Sequence, residues 1–447
     1  MNEYILRERR IPLDDSWDVI VAGGGPAGCT AAASAAREGM RVLLIEATGS
    51  LGGMGTSGLV QAWCPFTDKE KIIYGGLAER ILKKCIGGMP HVPEDSYNWT
   101  PIDAEQLKRI YDDLLTEHGA EVLFNSFMAA VETSDNGSVD ALIVSNKAGL
   151  TAYRAHIYVD CTGDADIAAW AGAEFQKGGD SGELQAATHC FVLTNVDEYG
   201  YRCGGRLHGS NPDSPIGVII KDSKYPEITE RFINDKPVGP GAVGFNAGHI
   251  WDVDNTKPET VSAAMMQGRR IAHAFRRALA EYHPKAFANA WLANTGSLMG
   301  IRETRRIVGD YVLTADDYDA RRSFADEICR NSYYLDVHCR TDDPHGKQAK
   351  KSGRMGPGES HGIPYRCLTP RGLRNVLVAG RSISTDRAMQ GSTRVMPVCL
   401  AMGEAAGLAA AAAAREDSPD IRSVDTKRLR KRLREYGGYL PKTEGTR

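Results

Sequence analysis

Residues 18–46 read DVIVAGGGPAGCTAAASAAREGMRVLLIE, and this stretch decides the fold. An apolar run predicts a short buried strand, and three glycines spaced as G-x-G-x-x-G follow it. A run of small residues then predicts a helix, and a second apolar run ends in a glutamate. Strand, glycine turn, helix, strand and carboxylate in this register predict a Rossmann-type unit that binds a dinucleotide.

Each residue of this signature has a mechanical role. Gly23 permits the tight turn, Gly25 lets the backbone approach a pyrophosphate, and Gly28 lets helix and strand pack closely. The helix that begins at Pro26 points free N–H groups and the positive end of its dipole at the phosphates. Glu46, 18 residues beyond Gly28, is expected to accept hydrogen bonds from the adenosine ribose. The expected cofactor contacts of this unit are Gly23, Gly25, Pro26, Ala27, Gly28 and Glu46.

A second glycine-dense loop follows the glutamate directly. Residues 47–60 read ATGSLGGMGTSGLV, which suits a backbone pressed against the pyrophosphate, ribitol or ring of a long cofactor. Gly52, Gly53 and Thr56 are the contacts that we expect from it. Such a loop favours FAD over a nicotinamide dinucleotide, and a merely flexible loop is the alternative.

Residues 120–164 predict a three-stranded antiparallel meander of the kind found in flavoprotein nucleotide domains. Three strand-like runs are separated by turns, and Asn136-Gly137 is typical of a tight hairpin. The last run ends in a Thr-Gly-Asp turn, in which the glycine allows the backbone to approach a cofactor. The expected FAD contacts of this region are Met128, Thr162, Gly163 and Asp164.

Residues 375–407, NVLVAGRSISTDRAMQGSTRVMPVCLAMGEAAG, carry a third signature. They predict a buried strand, a turn at Gly380-Arg381 and a helix that starts near Val395. The N-terminus of this helix would stabilise the negative charge of a reduced flavin, and Arg394 would add to the effect. The expected contacts are Gly380, Arg381, Arg394 and Val395. Because the helix is rich in Ala and Gly and contains Glu404, we predict an internal helix and no membrane span.

The sequence resembles the bacterial FAD-dependent oxidoreductase family, which is related to the glutathione-reductase-like flavoproteins. The resemblance covers nearly the whole chain and is strongest in GIRETRRIVGDYVLT (300–314), IPYRCLTP (363–370) and GSTRVMPVCLAMGEAAG (391–407). It implies bound FAD and redox chemistry. Some relatives, the heterodisulfide-reductase A subunits, carry iron–sulfur clusters. This chain has ten cysteines and no CxxC pair, so it departs from them and no metal site is expected.

The predicted fold class is α/β with two interleaved domains, because 447 residues exceed one typical core. Residues 1–185 and 355–447 are predicted to form a Rossmann-type FAD-binding domain, built from a parallel sheet and the meander. Residues 186–354 are predicted to form an inserted, mixed α+β substrate-capping domain, with a strand in 189–197 and a long helix over 258–282. The insert has no second G-x-G-x-x-G after a strand, which disfavours a separate NAD(P)H domain.

Four residues are candidates for substrate binding and proton transfer. The planar guanidinium of Arg302 could hold a substrate carboxylate through two parallel hydrogen bonds. His361, just before the IPYR motif, is the preferred proton donor or acceptor and His249 is the second choice, because the pKa of histidine lies near neutrality. Tyr365 is a further candidate. A structural role in the core or in a salt-bridged face is the alternative for each of them.

Charge and composition narrow the function. The chain has 54 basic and 57 acidic side chains, a formal charge of -3, which gives no field for nucleic acid or an anionic membrane. With a polar N-terminus we expect a cytoplasmic enzyme with a small-molecule substrate and an unknown electron acceptor or donor. Self-association is left open. The leading function is hydride transfer between flavin N5 and a carbon of a small polar substrate that bears a carboxylate or hydroxyl group. An oxygen-using oxidase or monooxygenase and an electron-transfer flavoprotein subunit are the alternatives.

Overall fold

The structure is a computed structural model that describes residue 4 and residues 8–180, 182–340 and 343–441. Its strands are β1 (Leu13–Ala22), β2 (Val42–Ile45), β3 (Glu121–Leu123), β4 (Phe127–Thr133), β5 (Val139–Asn146), β6 (Gly149–Asp160), β7 (Phe175–Lys177), β8 (Phe191–Thr194), β9 (Ile233–Gly239), β10 (Ala242–Ala247), β11 (Trp291–Thr295), β12 (Arg305–Ile307), β13 (Glu327–Asn331), β14 (His361–Pro364) and β15 (Val376–Val378). Its helices are α1 (Pro26–Arg37), α2 (Leu77–Gly87), α3 (Ala104–His118), α4 (Asp166–Trp170), α5 (Glu198–Cys203), α6 (Pro215–Asp222), α7 (Pro258–Tyr282), α8 (Pro284–Phe287), α9 (Ala315–Asp319), α10 (Pro344–Ser352), α11 (Arg387–Thr393), α12 (Met396–Ala414) and α13 (Thr426–Glu435).

Five parallel strands form the centre of the largest sheet, in the order β3-β2-β1-β6-β15. The strands β2 and β15 are buried along their whole length, which parallel strands require because helices cover both faces of the sheet. The last strand, β15, comes from the C-terminal part of the chain and pairs with β6. The predicted α/β class with a Rossmann-type parallel sheet is confirmed.

Strand β6 belongs to both the parallel sheet and the meander. It pairs parallel with β1 over residues 152–160, and its first part, residues 149–153, also pairs antiparallel with β5. Strand β5 continues to β4 across the turn at Asn136-Gly137, where Gly137 has a φ of 80° that suits glycine. The meander is therefore a continuation of the main sheet, and the long strand fixes the position of the turn that follows Asp160.

Helices α1 and α12 pack closely because small residues face each other. A Cβ on Gly403 would overlap the carbonyl oxygen of Ala27, and one on Gly407 would overlap that of Ala31. Helix α12 is long and apolar enough to cross a membrane by length and composition, but 89% of its apolar window is buried inside the protein. This burial agrees with the internal helix that the sequence predicts.

A four-stranded antiparallel sheet, in the order β11-β8-β10-β9, has an apolar core of its own. The rings of Phe191 and Phe245 stack in it with centroids 5.0 Å apart, and Phe275 of α7 packs against Phe191 at 5.9 Å. This core contains residues between Ala187 and Ile301. Helix α7 has the bounds that the sequence predicts, residues 258–282.

The division into domains at residues 185, 186, 354 and 355 stays a prediction. Apolar residues between Leu313 and Leu335 pack into the core around α1 and α12, and β13 pairs with β14. These contacts favour an inserted unit that ends near Ile301, about fifty residues before the predicted boundary. The pattern of apolar residues in 302–354 does not predict the earlier end of the inserted unit, because such a pattern does not show into which core a segment packs.

Candidate active site

A cavity of about 1390 Å³ lies between the carboxyl ends of the parallel strands and the antiparallel sheet. Ligands in open α/β sheets bind at this edge, and most small-molecule pockets measure roughly 300–1,000 Å³. The cavity therefore has room for a long cofactor together with a substrate. Six Arg or Lys residues line it against three Asp or Glu, so its wall is cationic although the chain carries a net charge of -3.

The three glycines of the signature differ in what excludes a side chain. A Cβ on Gly28 would overlap the carbonyl oxygen of Gly23, and one on Gly23 would overlap that of Cys161. The protein's own packing therefore requires both glycines. A Cβ on Gly25 would meet no protein atom within 4 Å, and Gly25 lines the cavity. The space at Gly25 is left for a ligand, and it fits the backbone approach of a pyrophosphate.

Two helices begin at the cavity wall without a side-chain cap. Gly25 is the N-cap of α1 and Val395 is the N-cap of α12. Neither residue has a side chain that accepts a hydrogen bond from the first N–H groups of its helix. The first N–H groups of a helix need partners, and the positive end of the dipole favours an anion there. The two N-termini fit the two anionic regions of FAD, its pyrophosphate and its reduced ring.

Glu46 is held in place by the backbone. Its Oε2 accepts a hydrogen bond from the N–H of Gly24 at 2.6 Å, and its Oε1 accepts one from the N–H of Thr48 at 2.7 Å. Each carboxylate oxygen keeps a further lone pair, and the side chain lines the cavity. Glu46 can therefore accept hydrogen bonds from a ribose, as the sequence predicts.

Asp164 acts through its neighbour. Nη2 of Arg381 donates to Oδ1 of Asp164 at 3.1 Å, and the guanidinium lies against Gly163, where a Cβ would not fit. Arg381 lines the cavity, whereas Asp164 lies behind it. The Thr-Gly-Asp turn thus orients an arginine toward the cofactor space.

Most of the expected cofactor residues lie on the cavity wall, and their role as ligands stays a prediction. Those on the wall are Gly23, Gly25, Pro26, Ala27, Glu46, Gly53, Met128, Thr162, Gly163, Gly380, Arg381, Arg394 and Val395. Those behind it are Gly28, Gly52, Thr56 and Asp164. The second group supports the first: the N–H of Gly52, for example, donates to the carbonyl of Gly24 at 2.7 Å.

The ring of Phe232 brings three candidate groups together. The imidazole of His249 stacks on it with centroids 4.1 Å apart, and that of His338 meets it edge-on at 5.1 Å. The guanidinium carbon of Arg302 lies 5.3 Å from its centroid. Arg302, His338 and Phe232 line the cavity, and His249 lies behind His338. Two of the four predicted catalytic residues, Arg302 and His249, are thus part of one cluster.

Arg302 is a buried cation that forms no direct salt bridge with another described residue. Its Nη1 donates to the carbonyl of Ala186 at 2.6 Å and to Oγ1 of Thr188 at 2.8 Å, and the residue is 7% exposed. Within the described ranges, no carboxylate lies within 4.0 Å of its guanidinium. Burial lowers the pKa of Arg302 to about 10, and the charge of Arg394 contributes. The charge of Asp336 opposes this shift but forms no direct salt bridge with Arg302, and a buried cation that is not directly paired favours an anionic ligand.

A row of contacts runs from Asp336 through His338 and His249 to Glu230. Nδ1 of His338 lies 2.8 Å from Nε2 of His249, and Nε2 of His338 lies 3.3 Å from Asp336. Nδ1 of His249 lies 2.8 Å from Oε1 of Glu230, an ion pair when the imidazole is protonated. Two neutral imidazoles carry two N–H groups for these three contacts. These four residues can therefore take up one more proton, which would supply an N–H group for the third contact.

The protonation states in this chain follow from burial and charge. Burial lowers the pKa of His338 to about 4, the charge of Arg302 acts in the same direction, and Asp336 opposes them. Burial would raise the pKa of Asp336, but His338, Arg394 and Arg302 hold it well below its ordinary value. Burial also lowers the pKa of His249. At neutral pH the imidazole of His338 is therefore neutral beside an ionised carboxylate, the state of a proton acceptor.

His361 and Tyr365 do not line the cavity. His361 is fully buried, with Nε2 3.2 Å from Nδ2 of Asn331 and Nδ1 3.1 Å from the carbonyl of Gly362. The hydroxyl of Tyr365 donates to the carbonyl of Ile421 at 2.7 Å. Contacts with the protein occupy both side chains. Because neither side chain reaches the cavity wall, a direct proton transfer between either of them and a ligand in the cavity has no geometric basis.

Sequence reasoning missed Asp336 and His338. Residues 333–338 read YYLDVH, in which Tyr334, Asp336 and His338 alternate with Leu335 and Val337. A period of two is typical of an extended segment with one buried face. The two apolar residues pack into the core and the three polar ones line the cavity. This alternation is the signal that identifies them.

Four thiols also line the cavity, and burial keeps them neutral. It raises the pKa of Cys64, Cys190 and Cys399 to about 12 and that of Cys161 well above its ordinary value. The thiolate is the nucleophile in disulfide exchange, so raised pKa values disfavour that chemistry.

The chain was compared with known families and structures. The model of the family described as FAD dependent oxidoreductase matches residues 18–433. A geranylgeranyl bacteriochlorophyll reductase-like protein from Thermoplasma acidophilum aligns with a TM-score of 0.47 at 14% identity, over 95% of this chain and 84% of that one. The p-nitrophenol 4-monooxygenase of Pseudomonas putida aligns with a TM-score of 0.43 at 15% identity, over 94% of this chain and 84% of that one.

Proposed function

The chain belongs to the FAD dependent oxidoreductase family, and we propose that its substrate is a small polar molecule whose carboxylate binds Arg302. In this proposal bound FAD would supply the centre that exchanges a hydride with a substrate carbon, and His338 takes or gives the accompanying proton. One observation carries it: a buried guanidinium that has no carboxylate within 4.0 Å among the described residues shares the ring of Phe232 with a neutral imidazole on the cavity wall.

The residues of the cavity fit FAD. The open space at Gly25 and the N-terminus of α1 would receive the pyrophosphate, with Arg381 as a cationic partner. Glu46 would accept hydrogen bonds from the ribose, and the N-terminus of α12 would face the ring. When bound, FAD supplies the two-electron centre that accepts or donates the hydride.

Arg302 orients the substrate. A guanidinium presents its donors in a fixed plane that matches the two oxygens of a carboxylate. The contacts of its Nη1 with Ala186 and Thr188 fix the plane, so the position of a bound carboxylate is fixed too. Fixing the carboxylate places the neighbouring substrate carbon in one orientation, which is the main requirement for hydride transfer.

Binding of the carboxylate also strengthens the base. The charge of Arg302 lowers the pKa of His338, and a bound carboxylate would cancel most of that charge. The pKa of His338 then rises toward neutrality, where a general base works best. With Nδ1 of His338 in contact with His249, the proton would be taken up at Nε2, and the carboxylate of Asp336, 3.3 Å away, would stabilise the resulting imidazolium.

The finer family relation to heterodisulfide reductases stays a prediction. Since burial keeps the cavity thiols neutral, we infer that they take no part as nucleophiles. All ten cysteines are unpaired, which fits a reducing compartment, and we place the enzyme in the cytoplasm on that basis.

Anaerobic mixing of the FAD-loaded protein with candidate substrates tests the proposal. The panel contains hydroxy acids and saturated carboxylic acids, each paired with its amide, and the readout is bleaching of the oxidised flavin spectrum. We expect one or more acids to bleach the flavin and their amides to do so at least about tenfold more slowly. Equal rates for acid and amide, or bleaching by amides alone, would overturn it. Admission of air then separates an oxidase or monooxygenase, which reoxidises at once, from a dehydrogenase.

A further inference from the structure

The antiparallel sheet carries a second cationic pair on the cavity wall, away from Arg302. Phe232, Asn234 and Lys236 all line the cavity, because alternate residues of a strand share one face. Arg302 lies at the Phe232 end of this row. At about 3.3 Å per residue, Lys236 lies ~13 Å farther along the strand.

Arg206 is the second cation on this part of the wall, with an exposed side chain, whereas Lys236 is half-buried. Burial lowers the pKa of Lys236; the charge of Asp235 opposes this shift, and that of Arg206 adds to it. Both side chains line the cavity, and in the part of the chain that the structure describes neither has a carboxylate within 4.0 Å. Asp235 turns to the other face of the strand, where it accepts a hydrogen bond from the hydroxyl of Tyr201. Two cations on the cavity wall are thus free to bind an anionic group of a ligand.

The wall between the two cationic positions is polar. Asn234 of β9 and Asn246 of β10 are direct neighbours in the sheet, and both line the cavity. Oδ1 of Asn246 also accepts a hydrogen bond from Nη2 of Arg302 at 3.5 Å. Amide side chains both donate and accept, so they suit hydroxyl or amide groups in the middle of a ligand.

We propose that the cavity takes an elongated polar substrate with an anionic group at each end. One carboxylate binds Arg302, and a second carboxylate or a phosphate binds Lys236 and Arg206. This inference rests on the proposed function, because it takes Arg302 as the carboxylate site. The pyrophosphate of FAD is expected at Gly25, on the wall formed by the parallel sheet, so it does not account for the pair on the antiparallel sheet.

Ligand titration of the FAD-loaded protein tests this inference. The probes are unreactive straight-chain dicarboxylates of increasing length, phosphorylated carboxylates, and monocarboxylates of matched length, and the readout is perturbation of the flavin absorption spectrum. We expect the best dianion to bind about tenfold or more tightly than its monoanion, since one added charge-assisted contact is worth that factor. The double variant Lys236→Met, Arg206→Gln should lose this advantage and still bind monocarboxylates as the wild type does. Lys221→Met, on the exposed face of α6, is the matched control.

The outcomes separate the two proposals. The proposed function stands if monocarboxylates bind and Arg302→Met abolishes their binding. The two-ended substrate is nevertheless wrong if dianions bind no more tightly than monoanions, or if they keep their tighter binding in the double variant. If monocarboxylate binding does not depend on Arg302, both fail. The single variant Lys236→Arg keeps both positive charges. If it binds dianions more tightly than monoanions, as the wild type does, the charge itself is recognised. The preference between dicarboxylates and phosphorylated carboxylates identifies the second anion.

Discussion

Arg302 and His338 are coupled by charge, and the coupling has a pH signature. As a base His338 must be neutral, so the rate kcat/KM falls when the pH drops below its pKa in the free enzyme, about 4. The charge of Arg302 helps to hold that pKa down. Arg302→Met should therefore move the acidic limb of the profile to higher pH, and Arg302→Lys should leave it near the wild-type position.

The measurement is the pH dependence of kcat/KM for flavin reduction, with Arg270→Met on the exposed side of α7 as the control. Arg302→Met should also lower kcat/KM by about 10- to 100-fold at neutral pH, because a charge-assisted contact is lost. An acidic limb that stays in place, or moves to lower pH, would contradict the assignment of His338 as the base.

His361 makes a different prediction, for stability. Burial lowers its pKa to about 4, whereas an unfolded chain has a histidine pKa near 6.5. The unfolded state therefore binds more protons between pH 6.5 and 4, and stability is lost as the pH falls through that window. This residue alone should cost about 2 kcal/mol of unfolding free energy between pH 7 and pH 5.

His361→Gln should remove that pH-dependent part and leave flavin reduction by substrate within about twofold of the wild-type rate. At pH 7 the variant should be less stable by about 1–3 kcal/mol, since buried hydrogen bonds are lost. Urea unfolding at pH 7 and pH 5 measures both effects. A large loss of flavin reduction in a folded His361→Gln protein would restore His361 as a catalytic residue.

At the scale of one element, the glycines of the loop between β1 and α1 have different roles: packing of the protein requires some of them, and the cofactor is expected to require Gly25. Gly25 has an extended backbone and open space around it, so Gly25→Ala should leave the unfolding free energy of the FAD-free protein within about 0.5 kcal/mol. Its FAD affinity should fall by at least about tenfold, because the methyl group enters the pyrophosphate space. Fluorescence titration with FAD measures the affinity.

Gly28→Ala is the contrasting variant. Its Cβ would overlap the carbonyl oxygen of Gly23, so helix and strand must separate and the FAD-free protein should lose several kcal/mol of stability or fail to fold. If Gly25→Ala destabilised the FAD-free protein as much as Gly28→Ala, the space at Gly25 would belong to the fold and not to a ligand.

Elements that carry their own local signal could be predicted from the sequence. The turn of Gly23 to Gly28, the hairpin at Asn136-Gly137 and helix α7 all stand where propensity and spacing place them. The cluster around His338 could not be predicted, because Glu230, His249 and the Asp336–His338 pair come from separate segments. Only the packing of the antiparallel sheet against the main core brings them together. The sequence around a single histidine does not show whether the side chain is buried. For this reason His361 was predicted to reach the substrate, although it is buried behind the cavity wall.

At the scale of the whole molecule, the expected cofactor contacts come from both ends of the chain. Gly25 and Glu46 lie in the first fifty residues, and Arg381 and Val395 lie in the last seventy. Bound FAD therefore links segments that are distant in sequence. At a free concentration one hundred times its Kd, FAD should raise the unfolding free energy by about 2.7 kcal/mol, and its removal should lower the melting temperature accordingly. Calorimetry with and without FAD measures the shift; equal melting temperatures would contradict a cofactor bound across both segments.

The most direct test of the account compares an acid substrate with its amide in two proteins, the wild type and Arg302→Met. The rate of anaerobic flavin reduction is measured in all four combinations. The account predicts that the wild type strongly prefers the acid, and that the variant reduces acid and amide at the same low rate, with the amide rate unchanged. A variant that keeps the wild-type preference for the acid would show that Arg302 does not hold the carboxylate, and the proposed reaction would have to be abandoned.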